Sequence, residues 1–478
     1  AAGYIINENQ RDIRIQKFNS AGNPLIDKQI INSSGDDRAI DLFIDRKGFI
    51  YVTGYYYNIH TNSNDIITLK LDTLGNIKWS EILENPGDDK GMGIDISYVQ
   101  NGNADEVFIT GYLTTLSSGK DFIIKKYNAD DGTPLAQYTS SIGSGDDIAT
   151  DILLDNGFAY VMGYSYQGPQ RMNDIVLQIY GKETLDLRET LIDNRPGSDE
   201  KPTGFIIADF SSNITMKSRV SLTSVTDGFT VGNNGRKFLT MYIEPNSGND
   251  MNIKWRKEFS NCFQCRTDVA TSISKDLAGD IYVSGYVYNY DNSFQSNGLD
   301  FATLKYKAES GEFAWMGGVR LFNFSETSAT GVDDKASSVK VNQFKEVYVA
   351  GPSDGSPNGF SIAKYTQPGG IPYFEYDRSF IPNFINDERT GERNLKKWAT
   401  IQLAGDGTPL MIVMGWNESN AYWAGVKYDA NGNVLYTINN DEGGLNLNDG
   451  KTGGKELTIN NFPNPFNPST VIRYSISE

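Results

Sequence analysis

Hydrophobic positions come in short runs along the chain, either alternating with polar residues or as unbroken Tyr, Val and Ile. Each run closes on a turn of Gly, Asn or Asp, and no 3.6-residue period is sustained over three helical turns. One run recurs seven times: YVTG (51–54), VFITG (107–111), YVMG (160–163), FTVG (229–232), YVSG (282–285), YVAG (348–351) and IVMG (412–415). The closing glycines stand 52 to 69 residues apart, so loop lengths vary while the unit persists. An alternating run precedes it, as in AIDLFID (39–45), IATDILLD (148–155) and VATSISKD (269–276), and a Gly turn such as Asp45-Arg46-Lys47-Gly48 joins the two. A third run follows, as in DIITLKL (65–71), DFIIKKY (121–127), DIVLQIY (174–180), DFATLKY (300–306), FSIAKY (360–365) and WAGVKY (423–428). After another turn comes a fourth, such as LGNIKWSEIL (74–83). The pattern predicts four strands per unit, a to d, joined as hairpins.

Repeats of four antiparallel strands predict an all-β fold, a β-propeller of four-stranded antiparallel blades. One such sheet cannot bury both faces, but blades packed face to face can, leaving only short edges. A β-helix repeats over far fewer residues and pairs its strands in parallel, so it fits less well. Trp79, Trp255 and Trp315, near the start of strand d, are expected to fill space between blades. The boundaries follow as a half blade at 1–32, then seven repeats at about 33–84, 85–142, 143–195, 196–260, 261–323, 324–380 and 381–440. A Gly/Asn/Asp-rich linker covers 441–455.

The half blade comes from the opening residues, AAGYIINENQRDIRIQKF. Gly3-Tyr4 falls on Gly54-Tyr55, and Asp12-Ile13 on Asp65-Ile66, so the chain enters on strands b and c without a strand a. The expectation is a processed chain with eight c–d pairs against seven a–b pairs, in a propeller of seven or eight blades. The absent strand lies upstream, is not needed, or is supplied by another segment such as TVIRYSI (470–476), in cis or from a neighbouring molecule. The candidate strand-exchange residues are Tyr4, Ile6, Ile13 and Ile15 on one side and Val471, Ile472 and Tyr474 on the other. Head-to-tail exchange of this kind builds filaments.

The combined pattern GDDxAxD, GxxYVTGY, DxxxxKY and GxxxW resembles the SBBP family of bacterial β-propeller repeats, with GDDRAIDLFIDRKGFIYVTGY (35–55) carrying its first half. DIRIQKFNSAG (12–22) is similar to one strand of an NHL propeller repeat. NFPNPFNPSTVIRYSI (461–476) resembles the opening of the C-terminal sorting domain of type IX secretion, of which only the first strand region is present. That resemblance implies export to the cell surface or the medium. NPFNP cannot enter a central strand, whereas TVIRYSI can.

The net charge of −17 opposes binding to nucleic acid, and no apolar run approaches the length of a membrane helix. Cys262 and Cys265, in NCFQC, lack the βαβ context of a redox motif and the further ligands of a zinc site. A local disulfide or two buried thiols remains. His60 is the only histidine and sits in a polar loop, so a Ser-His-Asp triad would rest on that one residue.

Acidic pairs precede strand a in five units: Asp36-Asp37, Asp88-Asp89, Asp146-Asp147, Asp199-Glu200 and Asp333-Asp334. Their main expected work is to accept backbone N–H groups in turns. Asp36, Asp37, Asp88, Asp89, Asp146, Asp147, Asp333 and Asp334 are also weak Ca²⁺ candidates, though their spacing is not that of an EF-hand loop. A glycosidase needs two acids across a cleft, and the Asp-box pattern of sialidase propellers is absent. Tyr55, Tyr56, Tyr57, Tyr286 and Tyr288 follow strand b and could stack on a ligand at the rim. The sequence therefore supports a non-enzymatic, exported structural or adhesive propeller that binds copies of itself. The alternatives are a glycan- or protein-binding module and, less well supported, a carbohydrate-active enzyme. No cofactor is implied beyond Ca²⁺.

Overall fold

The computed structural model describes residues 2–7, 10–18, 24–30, 35–99, 105–115, 118–195, 197–228, 235–261, 268–290, 296–315, 317–323, 333–354, 359–366, 373–380, 396–416 and 421–439. Cys262, Cys265, Val471, Ile472 and Tyr474 lie outside the described residues.

All regular structure among the described residues is β-strand, as four-stranded antiparallel blades of the β-propeller class. The first sheet has three strands, β1 (Ala2–Asn7), β2 (Gln10–Phe18) and β3 (Pro24–Ile30), and the other seven have four each. The second blade is β4 (Arg38–Ile44), β5 (Ile50–Asn58), β6 (Ser63–Leu71) and β7 (Ile77–Leu83). The third is β8 (Lys90–Ser97), β9 (Glu106–Thr115), β10 (Gly119–Asn128) and β11 (Pro134–Ser140). The fourth is β12 (Asp147–Leu154), β13 (Phe158–Tyr166), β14 (Asn173–Gly181) and β15 (Leu187–Ile192). The fifth is β16 (Ser198–Asp209), β17 (Arg219–Gly228), β18 (Arg236–Pro245) and β19 (Met251–Phe259). The sixth is β20 (Val269–Lys275), β21 (Ile281–Tyr290), β22 (Ser296–Tyr306) and β23 (Val319–Phe322). The seventh is β24 (Ser338–Val341), β25 (Val347–Ser353), β26 (Gly359–Thr366) and β27 (Tyr373–Phe380). The eighth is β28 (Lys396–Leu403), β29 (Pro409–Trp416), β30 (Ala421–Tyr428) and β31 (Val434–Asn439). Strands pair in chain order within every sheet.

Two compact units emerge. The first gathers the described residues of 1–16 and 26–266, the second those of 17–25 and 267–459. Within the first, the fourth and fifth blades share a core of Tyr160, Met162, Leu177, Phe205, Leu222 and Met241. Within the second, Tyr348, Ile362, Ala399, Met411 and Val426 join the seventh blade to the eighth. Strands b and c are covered on both faces, so β5 and β6 are buried along nearly their whole length, polar Thr53, Thr68 and Lys70 included. Strand d meets solvent, and β11 alternates exposed and half-buried positions.

The recurrent glycine has a steric cause. A bulge in strand a, between Ala39 and Asp41, Gly91 and Gly93, and Ala149 and Asp151, pushes a carbonyl toward strand b. A Cβ on Gly54, Gly111 or Gly163 would lie 1.9, 2.0 or 2.1 Å from the carbonyl oxygen of Arg38, Lys90 or Ile148. Gly351 stands likewise 2.0 Å from the oxygen of Lys335. The tyrosine of the YV run is tied to the a–b turn, with Tyr160 donating to Asp155 at 2.7 Å and Tyr282 to Asp276 at 3.0 Å. The strand-c lysine crosses to the c–d turn of the next blade. Lys70 donates to the Ala129 carbonyl at 2.6 Å, Lys126 to Glu183 at 2.7 Å and Lys364 to Ala430 at 3.0 Å. Trp79 adds its Nε1–H to the Ala129 carbonyl at 3.1 Å, and Trp315 packs on Tyr282 and Tyr365 of successive blades.

Candidate functional site

The acidic pairs sit where strand d of one blade hands over to strand a of the next. The second acid of each pair is fully buried: Asp37, Asp89, Asp147, Glu200 and Asp334 have no exposed surface. It folds the loop against the end of strand b. Asp37 accepts the Tyr57 amide at 2.8 Å, and Asp89 the Thr114 amide at 2.6 Å. Asp147 accepts the amides of Ile142 (2.6 Å) and Gly143 (3.2 Å) and the Ser165 hydroxyl. The first acid faces the rim and grips the blade before it. Asp88 accepts the Asn64 amide group, Asp146 the Lys120 N–H at 3.2 Å and Asp333 the Leu299 N–H at 3.2 Å. Ion pairs with nearby basic residues accompany these bonds: Asp36 with Arg38 (3.1 Å), Asp146 with Lys120 (3.7 Å) and Asp333 with Lys335 (2.8 Å).

A third acid joins each seam from the start of strand c in the preceding blade. Asp65, Asp121, Asp174 and Asp300 are all buried. Asp65 accepts the Asn58 amide group at 2.8 Å, and Asp121 the hydroxyls of Thr115 (2.9 Å) and Ser118 (2.6 Å). Burial, together with the charges of Asp65 and Asp88, pushes Asp89 up to about 7. Burial also raises Asp147, with the Asp121 charge adding to it. In the sequence Asp65, Asp121 and Asp174 each open the strand-c run, and that shared place is the one local signal of their role. Among the described residues, no three acidic, His or Cys side chains form a group that could hold a metal ion.

The tyrosines expected after strand b lie within it, because β5 and β21 run on past the recurrent glycine, and they divide by depth. Tyr55 and Tyr56 are 5% and 9% exposed, so their rings do not offer a surface for a ligand from solvent. Lys90 of the next blade lies 4.5 Å over the Tyr55 ring, a cation–π contact within the seam. Tyr57, Tyr286 and Tyr288 are half-buried, and Tyr57 donates to Asn62. His60 is exposed in the b–c loop. Ile13 and Ile15 lie on the middle strand of the first sheet, each 1% exposed, and pack with Leu42, Ile44 and Val52. β1 is one edge of that sheet, no strand among the described residues pairs with its outer side, and it carries Tyr4 and Ile6 opposite Ile13 and Arg11.

On the opposite face of the first unit, the turns of the third, fourth and fifth blades enclose a cleft of about 1020 Å³. Tyr98, Asn128, Asn156, Lys182, Thr215 and Asn249 are among its walls. Its cations are engaged. Lys182 donates to the Asp155 carbonyl at 2.8 Å, and Lys217 to the Asn249 carbonyl at 2.7 Å and to Glu189. No sequence pattern marks this cleft, because its walls come from turns spread over more than a hundred residues.

No family model matches the chain, and no curated protein matches it. Among solved structures, the polysaccharide lyase Uly1 aligns at 11% identity with a TM-score of 0.44, over 92% of this chain and 99% of that one. The complex of KlAtg21 with the coiled coil of AgAtg16 aligns at 11% identity with a TM-score of 0.42, over 84% of this chain and 99% of that one. The β-propeller domain of the Trilobed protease from Pyrococcus furiosus aligns at 9% identity with a TM-score of 0.40, over 81% of this chain and 93% of that one. At these scores and identities, none of them bears on what this chain binds or does.

Proposed function

We propose that this chain is an exported, non-enzymatic β-propeller that serves as a structural or adhesive protein outside the cell, joined to its own copies by strand exchange. The observation that carries the reading is the first sheet. Its strands occupy the b, c and d positions, so the strand that would pair with β1 is not among the described residues. An edge of this kind accepts an added strand through main-chain hydrogen bonds. The donor in this reading is TVIRYSI (470–476) of a neighbouring copy, and export rests on the resemblance of 461–476 to a sorting domain. Light scattering and negative-stain imaging of the purified chain test it. Concentration-dependent oligomers or filaments are expected, lost when residues 456–478 are removed. A strictly monomeric particle at every concentration refutes the assembly.

The cleft of the first unit favours a second reading, a glycan- or protein-binding module. A glycan array probed with the full chain would show saturable binding weakened by Lys182→Ala. Turnover of a polysaccharide panel would move the reading toward an enzyme.

A further inference from the structure

The seams of the first unit treat the same pair of acids in two ways. Between the fourth and fifth blades, Asp174 and Glu200 are ringed by guanidinium groups. Arg171 pairs with Asp174, Arg195 with Glu200 at 3.1 Å, and Arg256 lies 4.0 Å from Glu200. Between the second and third blades, Asp65 and Asp89 occupy the corresponding places, and no lysine or arginine among the described residues pairs with either. Both are buried with no exposed surface. Two buried like charges cost several kcal/mol each unless a positive charge joins them, or one takes a proton.

Two oxygens in this seam carry no hydrogen bond. They are Asp89 Oδ2, on a side chain already held through Oδ1 by the Thr114 amide, and the Asn64 side-chain Oδ1. The Asn64 carbonyl accepts the Asp89 amide at 2.7 Å, which places the two residues side by side. Acceptor oxygens with no donor, beside a second carboxylate, are the ligand set of a hard cation rather than of an anion or a thiophilic metal. In the next seam Asp147 has both oxygens engaged by donors, and Asp121 Oδ1 is left without one, so there the orphan oxygen is on the strand-c acid and not on the loop acid.

We propose that the seam between the second and third blades binds a hard divalent cation of the Ca²⁺ class. Asp65 and Asp89 supply the charge, and Asp89 Oδ2 and Asn64 Oδ1 serve as ligands, with water completing the shell. The ion does for this seam what Arg195 and Arg256 do for the fourth–fifth seam. It ties blade to blade, which binding the Asp88-Asp89 loop alone would not do.

The test uses the full chain stripped with chelator and titrated with CaCl₂, read by calorimetry and by thermal unfolding. Saturable binding and a rise of several degrees in Tm are expected. Asp89→Asn should lower the stoichiometry by one, and Asp174→Asn should leave it unchanged. Asn64→Leu, which keeps the charge, should weaken binding at least tenfold and gives the answer if Asp89→Asn does not fold. Metal analysis of the untreated protein needs no variant. Absence of Ca²⁺ binding, or an unchanged stoichiometry in both Asp89→Asn and Asn64→Leu, overturns the proposal and leaves a shared proton as the way the pair is held.

Discussion

In the first unit an aspartate crosses two of the seams between neighbouring a strands; in the second unit a serine does. Asp41 Oδ2 accepts the Ile94 amide at 2.9 Å and Asp95 Oδ2 the Leu154 amide at 3.0 Å, while their Oδ1 atoms accept the next amide of their own strand at 2.8 Å. Ser272 Oγ accepts the Val339 amide and Ser338 Oγ the Ile401 amide, each at 3.1 Å. The backbone places the acceptor at the same point in both cases, and only its chemistry changes. A carboxylate offers two oxygens and a stronger, charge-assisted bond, but must be buried as an ion. A hydroxyl offers one oxygen and carries no charge. At these strand-a seams, among the described residues, the first unit therefore buries carboxylates where the second buries hydroxyls.

The sharpest way to break this contrast is pH. Asp89 is raised from an ordinary 3.8 to about 7, so its protonated form is favoured in the fold. Its contribution to stability is full below pH 4 and is lost as pH rises from 4 through 7. In chelator, stability should fall over that window by up to about 4 kcal/mol, and Asp89→Asn should remove the decline. Urea unfolding at a series of pH values measures it; a flat profile in the unsubstituted chain would show that the pair is relieved in another way. Next come Gly111→Ala and Gly351→Ala, one in each unit. Both drive a Cβ to 2.0 Å from a backbone oxygen, so each should cost about 3 kcal/mol, whatever the seam chemistry. Unequal shifts of the urea midpoint would mean that one of the bulged strands can retreat. The smallest effect sets the acceptors against each other directly. Asp95→Ala should cost about 2 kcal/mol and Ser338→Ala about 1 kcal/mol, read as local amide exchange at Leu154 and Ile401. Equal losses would mean that the aspartate's extra oxygen contributes nothing.

The blade class was legible because hairpin turns and buried strands leave local marks. The turn Asp45-Arg46-Lys47-Gly48 is one: Asp45 caps the Lys47 and Phe49 amides at 2.8 and 2.9 Å, and Gly48 has φ +82°. The recurrence of glycine after YVT was legible too, but its cause was not, since the obstructing carbonyl belongs to another strand. Of the seam acids, the Asp-Asp pairs stood out as neighbours in the chain. Asp65 and Asp121 did not, because each meets its partner acid only across two blades. The sequence suggests a rim at Tyr55 and Tyr56 and holds no sign that neighbouring residues cover them. The cleft was invisible for the same reason.

Local patterning alone determined the strands, their turns and their repetition, since these depend on side-chain alternation and on backbone conformations that only a few residues tolerate. The tertiary structure decided which acids share a seam and which tyrosines are buried. Those are outcomes of one blade lying against the next, and burial and electrostatics there depend on residues tens of positions apart in the chain.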